Sequence, residues 1–242
     1  LFFITAILYS SVGFGGGSTY LALLLIWDIP YYIFPIIALL CNIIVVSGNS
    51  FNYIRAGNHN FKLLLPFLIG SIPLAFFGGT LRIDKDIFEI LLFFVLCIAG
   101  ILLLINNKSY ENNNLIIKKL NFFLSLFIGS VLGLVSGIVG IGGGIFLSPI
   151  LFLLKSEKPK IIVTTASLFI LINSISGILG QLTKENILTE LSNYIPLFIC
   201  VFIGGLLGNY LNLKIFSSRV LAIITSLLVI FVSIRMGVRI FL

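Results

Sequence analysis

The chain has 242 residues, of which 59% are hydrophobic and 10% charged. A soluble domain carries roughly 45–50% apolar and about 25% charged residues, so this composition excludes a water-soluble globular protein. The net charge of +7 is no nucleic-acid signal, because the basic residues sit singly in short loops between apolar runs.

Those runs are long and unalternating. They predict membrane helices and not a barrel, whose strands would read as short alternating segments. Leu1 to Trp27 is the first, interrupted at Val12-Gly13-Phe14-Gly15-Gly16-Gly17, with Asp28 and Pro30 marking a turn. Tyr31 to Tyr53 is a full span carrying Asn42, Ser47, Asn49 and Asn52, polar for a lipid-facing helix. Phe61 to Leu81 follows a polar loop and contains Gly70, Gly78 and Gly79, small residues that let helices approach closely. Ile87 to Ile105 is a plain apolar span.

Asn106 to Lys119 is the longest polar connection and divides the chain into a first repeat, 1–105, and a second, 120–242. Phe122 to Leu154 is again broken, at Val139-Gly140-Ile141-Gly142-Gly143-Gly144, with Ser148-Pro149 just beyond. Ile161 to Leu182 carries Thr164, Thr165, Asn173, Ser174 and Ser176. Tyr194 to Leu213 holds Gly204, Gly205 and Gly208, and Val220 to Ile234 is the second plain span, with Arg235 and Arg239 snorkelling near its far end. The halves match in order: glycine-broken, polar, small-residue, plain. Gly15 aligns with Gly142 at a separation of 127, Ser47 with Ser176 at 129, and Gly78 with Gly204 at 126. Near-constant separations across three segments make an internal repeat. The expected fold is therefore an all-α integral membrane protein of eight hydrophobic segments in two pseudo-symmetric halves.

The loop charges decide between parallel and inverted halves. If all eight segments cross, lysine and arginine divide 8 against 7 between the two faces. If each broken segment dips in and returns, they divide 10 against 5. The second arrangement obeys the positive-inside rule, so we expect inverted halves with the middle loop, including Lys108, and Lys155 on the cytoplasmic side.

A glycine run can turn successive N–H groups into one concavity that binds an anion, and a half-helix starting there adds its positive end. The first-half candidates are Gly13, Gly15, Gly16 and Gly17, with Ser18 or Thr19 as a cap. Those of the second half are Gly140, Gly142, Gly143 and Gly144, with Ser148 suited to the N-cap and Pro149 to the first helical position. Asn42, Asn49, Thr164, Thr165 and Asn173 are the next candidates for holding substrate oxygens, and they are equally able to bond helix to helix. For a single glycine, close packing is explanation enough; two matched four-glycine runs favour a binding function. No Asp, Glu, Lys or His lies deep in a span, so the groups a proton relay normally needs are missing.

Cys41, Cys97 and Cys200 fall inside apolar segments and read as small buried hydrophobes. With one histidine and no metal spacing, no metal or cofactor is expected. Nothing reads as a cleavable signal peptide with a basic leader and small-residue cleavage site. A membrane-embedded enzyme would need a cluster of His, Asp, Glu or Cys at a membrane face, which His59 and the scattered carboxylates do not supply. A passive anion channel stays open as an alternative to a carrier.

At the two glycine runs the sequence resembles the TauE/SafE sulfite-exporter family of bacterial membrane transporters. The matching residues are Gly13-Phe14-Gly15-Gly16-Gly17 and Gly140-Ile141-Gly142-Gly143-Gly144, the latter with Ser148-Pro149. The resemblance covers nearly the whole chain. It implies a multi-pass protein of the bacterial inner membrane that exports or exchanges sulfite and small organosulfur or carboxylate anions such as sulfoacetate. Its partners would be a small anionic substrate and the lipid bilayer, with no nucleic acid. The first half departs from the pattern at Ala22, which stands where Pro149 stands, and a less regular half-helix is expected there.

Overall fold

A computed structural model describes residues 1–27, 29–105, 117–184 and 191–211, with isolated residues between 226 and 238. The chain is helical, and no strand occurs among the described residues. The first broken segment gives α1 (Phe2–Val12) and α2 (Gly17–Ile26). Then come α3 (Phe34–Arg55), α4 (Phe61–Thr80) and α5 (Lys85–Ile105). The second broken segment gives α6 (Phe122–Val139) and α7 (Gly144–Leu153), followed by α8 (Pro159–Gln181) and α9 (Ile195–Leu211). Most of the middle connection and most of the last span, with Arg235 and Arg239, lie outside the described residues.

Among the described residues, five helices are long and apolar enough to cross a membrane: Tyr31–Arg55, Phe61–Thr80, Phe122–Val139, Pro159–Gln181 and Ser192–Tyr210. Large apolar side chains such as Phe123, Phe127 and Leu65 point outward, as a lipid-facing surface requires. No charged side chain is buried among the described residues.

Glycines set how closely the helices pack. Along α6, Gly129, Gly133 and Gly137 recur every four residues and so share one face. A Cβ on each would fall 2.2, 2.4 and 2.0 Å from the carbonyl oxygens of Phe67, Ser71 and Ala75 on α4. The residues pair in rising order on both helices, so α4 and α6 lie backbone to backbone and parallel. In the same way Gly204 and Gly208 of α9 seat α9 on Phe3 and Ile7 of α1. The small-residue helix of each half thus packs on the broken helix of the other. Between these pairs α3 and α8 run antiparallel: Ser50 and Ser167 hydroxyls are 3.1 Å apart, and Leu39 abuts Gly177 towards the other end.

At both glycine runs the chain doubles back. Phe2, at the start of α1, stacks on Trp27, just past α2, with ring centroids 5.7 Å apart. Just before α6, the Lys118 N–H donates to the carbonyl of Lys155, just after α7, at 2.9 Å. Each broken segment is therefore a hairpin whose two ends meet. α2 and α7 each have ten residues and rise about 15 Å, half of the roughly 30 Å hydrocarbon thickness.

Candidate functional site

The breaks are made by backbone that only glycine adopts readily. Gly13 closes α1 and Gly16 opens α2, with φ of 87° and 82°. Gly140 closes α6 at 92°, and Gly142 and Gly143 follow at 81° and 77°. In this left-handed region an L side chain costs about 1–2 kcal/mol per residue. Because Gly16 and Gly143 themselves turn the chain into α2 and α7, neither half-helix has a side-chain cap.

Two expectations about capping are thereby corrected. Ser148 is no N-cap: α7 starts four residues earlier, leaving Ser148 and Pro149 inside the helix. Neither Ser18 nor Thr19 caps α2; the Thr19 hydroxyl lies 2.6 Å from that of Tyr9, and Ser18 Oγ is buried without a partner. Nor does Ala22 make the first half-helix less regular. Ala22 and Pro149 are each the sixth residue of a ten-residue helix, and α7 keeps that length despite the ladder bond its proline removes.

The two runs meet at the middle of α3. Asn42 Nδ2 donates to the carbonyl of Ile141 at 3.1 Å. A Cβ on Gly17 would stand 2.6 Å from that same oxygen, so the start of α2 touches the second run. Asn42 also lies against Gly15 and Gly142, and Ile170 of α8 lies against Gly15, Gly142 and Gly144. The junction thus brings together Gly15, Gly17, Gly142 and Gly144 with Asn42. Gly13 sits apart, beneath the hydroxyl of Tyr53 near the end of α3, and Gly140 packs against Pro35 at its beginning.

Buried polar atoms without a protein partner include Asn42 Oδ1 and Ser174 Oγ, on side chains that lie against Gly15 and Gly142, and Ser18 Oγ, Ser136 Oγ and Asn173 Oδ1 on α2, α6 and α8. A buried polar atom left unpaired costs about 1–3 kcal/mol. The Asn173 amide gives one hydrogen to Phe169 of its own helix at 3.0 Å, leaving its oxygen free. Asn49 bonds weakly to its own Val45, at 3.4 Å. The Thr164 and Thr165 hydroxyls donate to Lys160 and Ile161 one turn back, at 2.9 and 2.8 Å. They lie below the junction, where Ala166 and Ile170 face Gly144. Sequence reasoning passed over Ser136 and Ile170 as site residues. Nothing in the sequence marks Ser136, whose unpartnered hydroxyl only the packing reveals, or one isoleucine among many. Among the described residues no cluster of His, Cys, Asp or Glu is arranged to hold a metal.

The sulfite exporter TauE/SafE family model matches residues 1–236. The chain belongs to the TauE/SafE family. Relatives named probable membrane transporter proteins include one from Sinorhizobium fredii, 26% identical over 94% of this chain and 92% of its own length. One from Methanocaldococcus jannaschii is 29% identical over 76% of this chain and 70% of its own. A third, from Bacillus subtilis, is 22% identical over 91% and 89%. No solved structure matches. As a TauE/SafE member with several apolar helices, the chain is a multi-pass membrane transporter with a small-molecule substrate.

Proposed function

We propose that this TauE/SafE protein is a carrier for small oxyanions, sulfite or organosulfonates, moved outward across a bacterial inner membrane through the junction of the two glycine runs. The observation that carries this reading is the meeting of two half-helix starts, at Gly17 and Gly144, beside unpartnered neutral polar atoms and, among the described residues, no buried charge. The first N–H groups of a helix have no partners within it, and two such ends offer donors and partial positive charge to an anion. The Ser18 and Ser174 hydroxyls, and the second amide hydrogens of Asn42 and Asn173, would donate to it. Asn49, Thr164 and Thr165 line the approach along α3 and α8. Asn42 and Ile170 fill the space between the runs, which favours a carrier that must rearrange over an open channel.

The halves, 1–105 and 120–242, are read as inverted. The closed ends of both hairpins, the antiparallel α3 and α8, and the exchange of partners between α1–α9 and α6–α4 support this. The contact of Lys118 with Lys155 supports reading the two on one face, the cytoplasmic one in this arrangement.

An anion leaving a negative-inside cell gains about 2.3 kcal/mol per charge per 100 mV, so export needs no proton-coupling carboxylate. In proteoliposomes loaded with labelled sulfonate, efflux should rise as the interior is made more negative. Unlabelled sulfonate outside should drive counterflow. Flux that ignores the potential and tracks a pH gradient would defeat the mechanism; saturable flux without counterflow would indicate a channel.

A further inference from the structure

A second feature lies away from the junction, on the face where α4, α6 and α8 begin. A cavity of 480 Å³ opens there between the ends of α4 and α6 and the turn after α7. Its lining includes the half-buried Leu63, Pro66 and Leu120 and the exposed Phe122, with Lys62, Lys118 and Lys119, all exposed. The described segments 55–62, 117–121 and 154–160 hold Arg55 and six lysines against one carboxylate, Glu157. That carboxylate is already engaged. Its Oε2 accepts from the Asn60 amide at 3.0 Å and its Oε1 from the Lys158 N–H at 3.1 Å. Glu157 also lines the cavity and keeps its charge, so among the described residues three rim lysines face one carboxylate and the balance there is positive by two (3 − 1).

The rim is also held in place. Lys118 is pinned through its N–H to Lys155, and Asn60 and Asn121 cap α4 and α6 by accepting from Leu63 and Phe123 at 3.2 and 2.9 Å. Immediately beyond the cavity, Phe61, Leu65, Phe123 and Phe127 lie exposed on the outer surface of the same two helices. An ion that fits the rim and a hydrocarbon chain that fits this wall belong to one molecule.

We propose that the cavity binds the headgroup of an anionic phospholipid, its phosphate held by Lys62, Lys118 and Lys119 and its acyl chains lying along α4 and α6. Basic pockets between membrane helices on the cytoplasmic side recognise lipids in this way. The apolar wall selects a lipid over a free anion, and the site is independent of what the junction transports.

The test counts lipids bound to the purified full chain by native mass spectrometry, titrating phosphatidylglycerol or phosphatidylcholine with identical chains. The expected result is one anionic lipid taken up at least about tenfold more readily than the zwitterionic one. Lys62→Gln and Lys119→Gln, single changes at exposed positions, should each lower that preference by about fivefold, the equivalent of ~1 kcal/mol per lysine. Lys85→Gln, at the other end of the helices, should leave it unchanged. Absence of a preference, or equal loss in Lys85→Gln, overturns the site. Competition by inorganic phosphate or glycerophosphoglycerol at the lipid's own concentration overturns the lipid as its occupant.

Discussion

The two hairpins share a backbone plan and differ in what they hold. Each leaves its first helix, α1 or α6, through a left-handed glycine, Gly13 or Gly140, and enters a ten-residue half-helix through another, Gly16 or Gly143. Asn42 touches Gly15, Gly17 and Gly142; Ile170, 128 residues later, touches Gly142, Gly144 and Gly15. Exchanging the two runs turns one set of contacts into the other. Equivalent places are thus filled by an amide and by a branched alkane. The glycines decide where the half-helices meet, and the neighbouring spans decide how polar the meeting point is. At this pair of equivalent positions shape is duplicated while only Asn42 supplies a polar group.

The largest effect should come from breaking the shared plan. Gly16→Val or Gly143→Val forces a β-branched residue to φ near +80°, where valine is badly strained, and Gly143→Val also drives a Cβ to 2.8 Å from the ring of Phe169. Transport of a labelled sulfonate should fall to background while the protein still reaches the membrane. Gly57→Val is the control: its φ is +72°, but no atom lies within 4 Å of its Cβ position. It should keep most of the transport, and equal loss there would mean that strain alone, and not the junction, explains the result.

A smaller effect should follow from removing the chemical difference. Asn42→Ile makes the two sides alike and breaks the bond to Ile141. One net hydrogen bond is worth about 0.5–1.5 kcal/mol, so the apparent KM for sulfonate should rise roughly 2- to 13-fold with little change in expression. Adding Ile170→Asn moves the amide to the equivalent place, and recovery in the double variant would establish that the two positions do the same job. No recovery would mean that the bond to Ile141 matters for its position and not for its polarity.

Much of this comparison was legible in the sequence. A four-glycine run inside a hydrophobic segment cannot continue a helix without cost, so both breaks stand where Gly13 and Gly140 put them. The small residues of the third segment also read correctly, since a Cβ on Gly70 or Gly78 would fall 2.3 or 2.5 Å from carbonyl oxygens of α6. The caps did not. Ser148-Pro149 carries the usual signature of a helix start, but a glycine in the left-handed region already turns the chain, so the serine is carried into the second turn. Which polar residues stay unpaired was not readable either. Thr164 and Asn173 look alike in sequence; the threonine hydroxyl donates its hydrogen to the turn before it, whereas the asparagine does so and still has its Oδ1 unpaired.

The smallest effect concerns the ends of the hairpins, where the copies differ in charge. At the first bend a Cβ on Gly13 would meet the neutral hydroxyl of Tyr53. At the second, Gln181 stands 128 residues after Tyr53. It donates to the carbonyl of Gly137 and accepts from Lys184 Nζ, both at 2.8 Å. Burial, with the charge of Arg82 adding to it, lowers the Lys184 pKa from 10.5 to about 8. The folded chain therefore releases this proton at about pH 8, while the unfolded chain keeps it until about pH 10.5. Between those values the unfolded state binds more protons, so Lys184 makes stability rise with pH across that window and adds no slope below it. The effect is modest, because water still reaches the ammonium and screens it. The thermal midpoint of the wild type minus that of Lys184→Gln, measured in detergent at several pH values, should climb through the window. In the Arg82→Gln background the climb should begin at higher pH, because one cause of the lowered pKa is gone. A difference that stays flat from pH 8 to 10.5 would mean that Lys184 is as well solvated as the loop beside Tyr53, and the two bends would then be electrostatically alike.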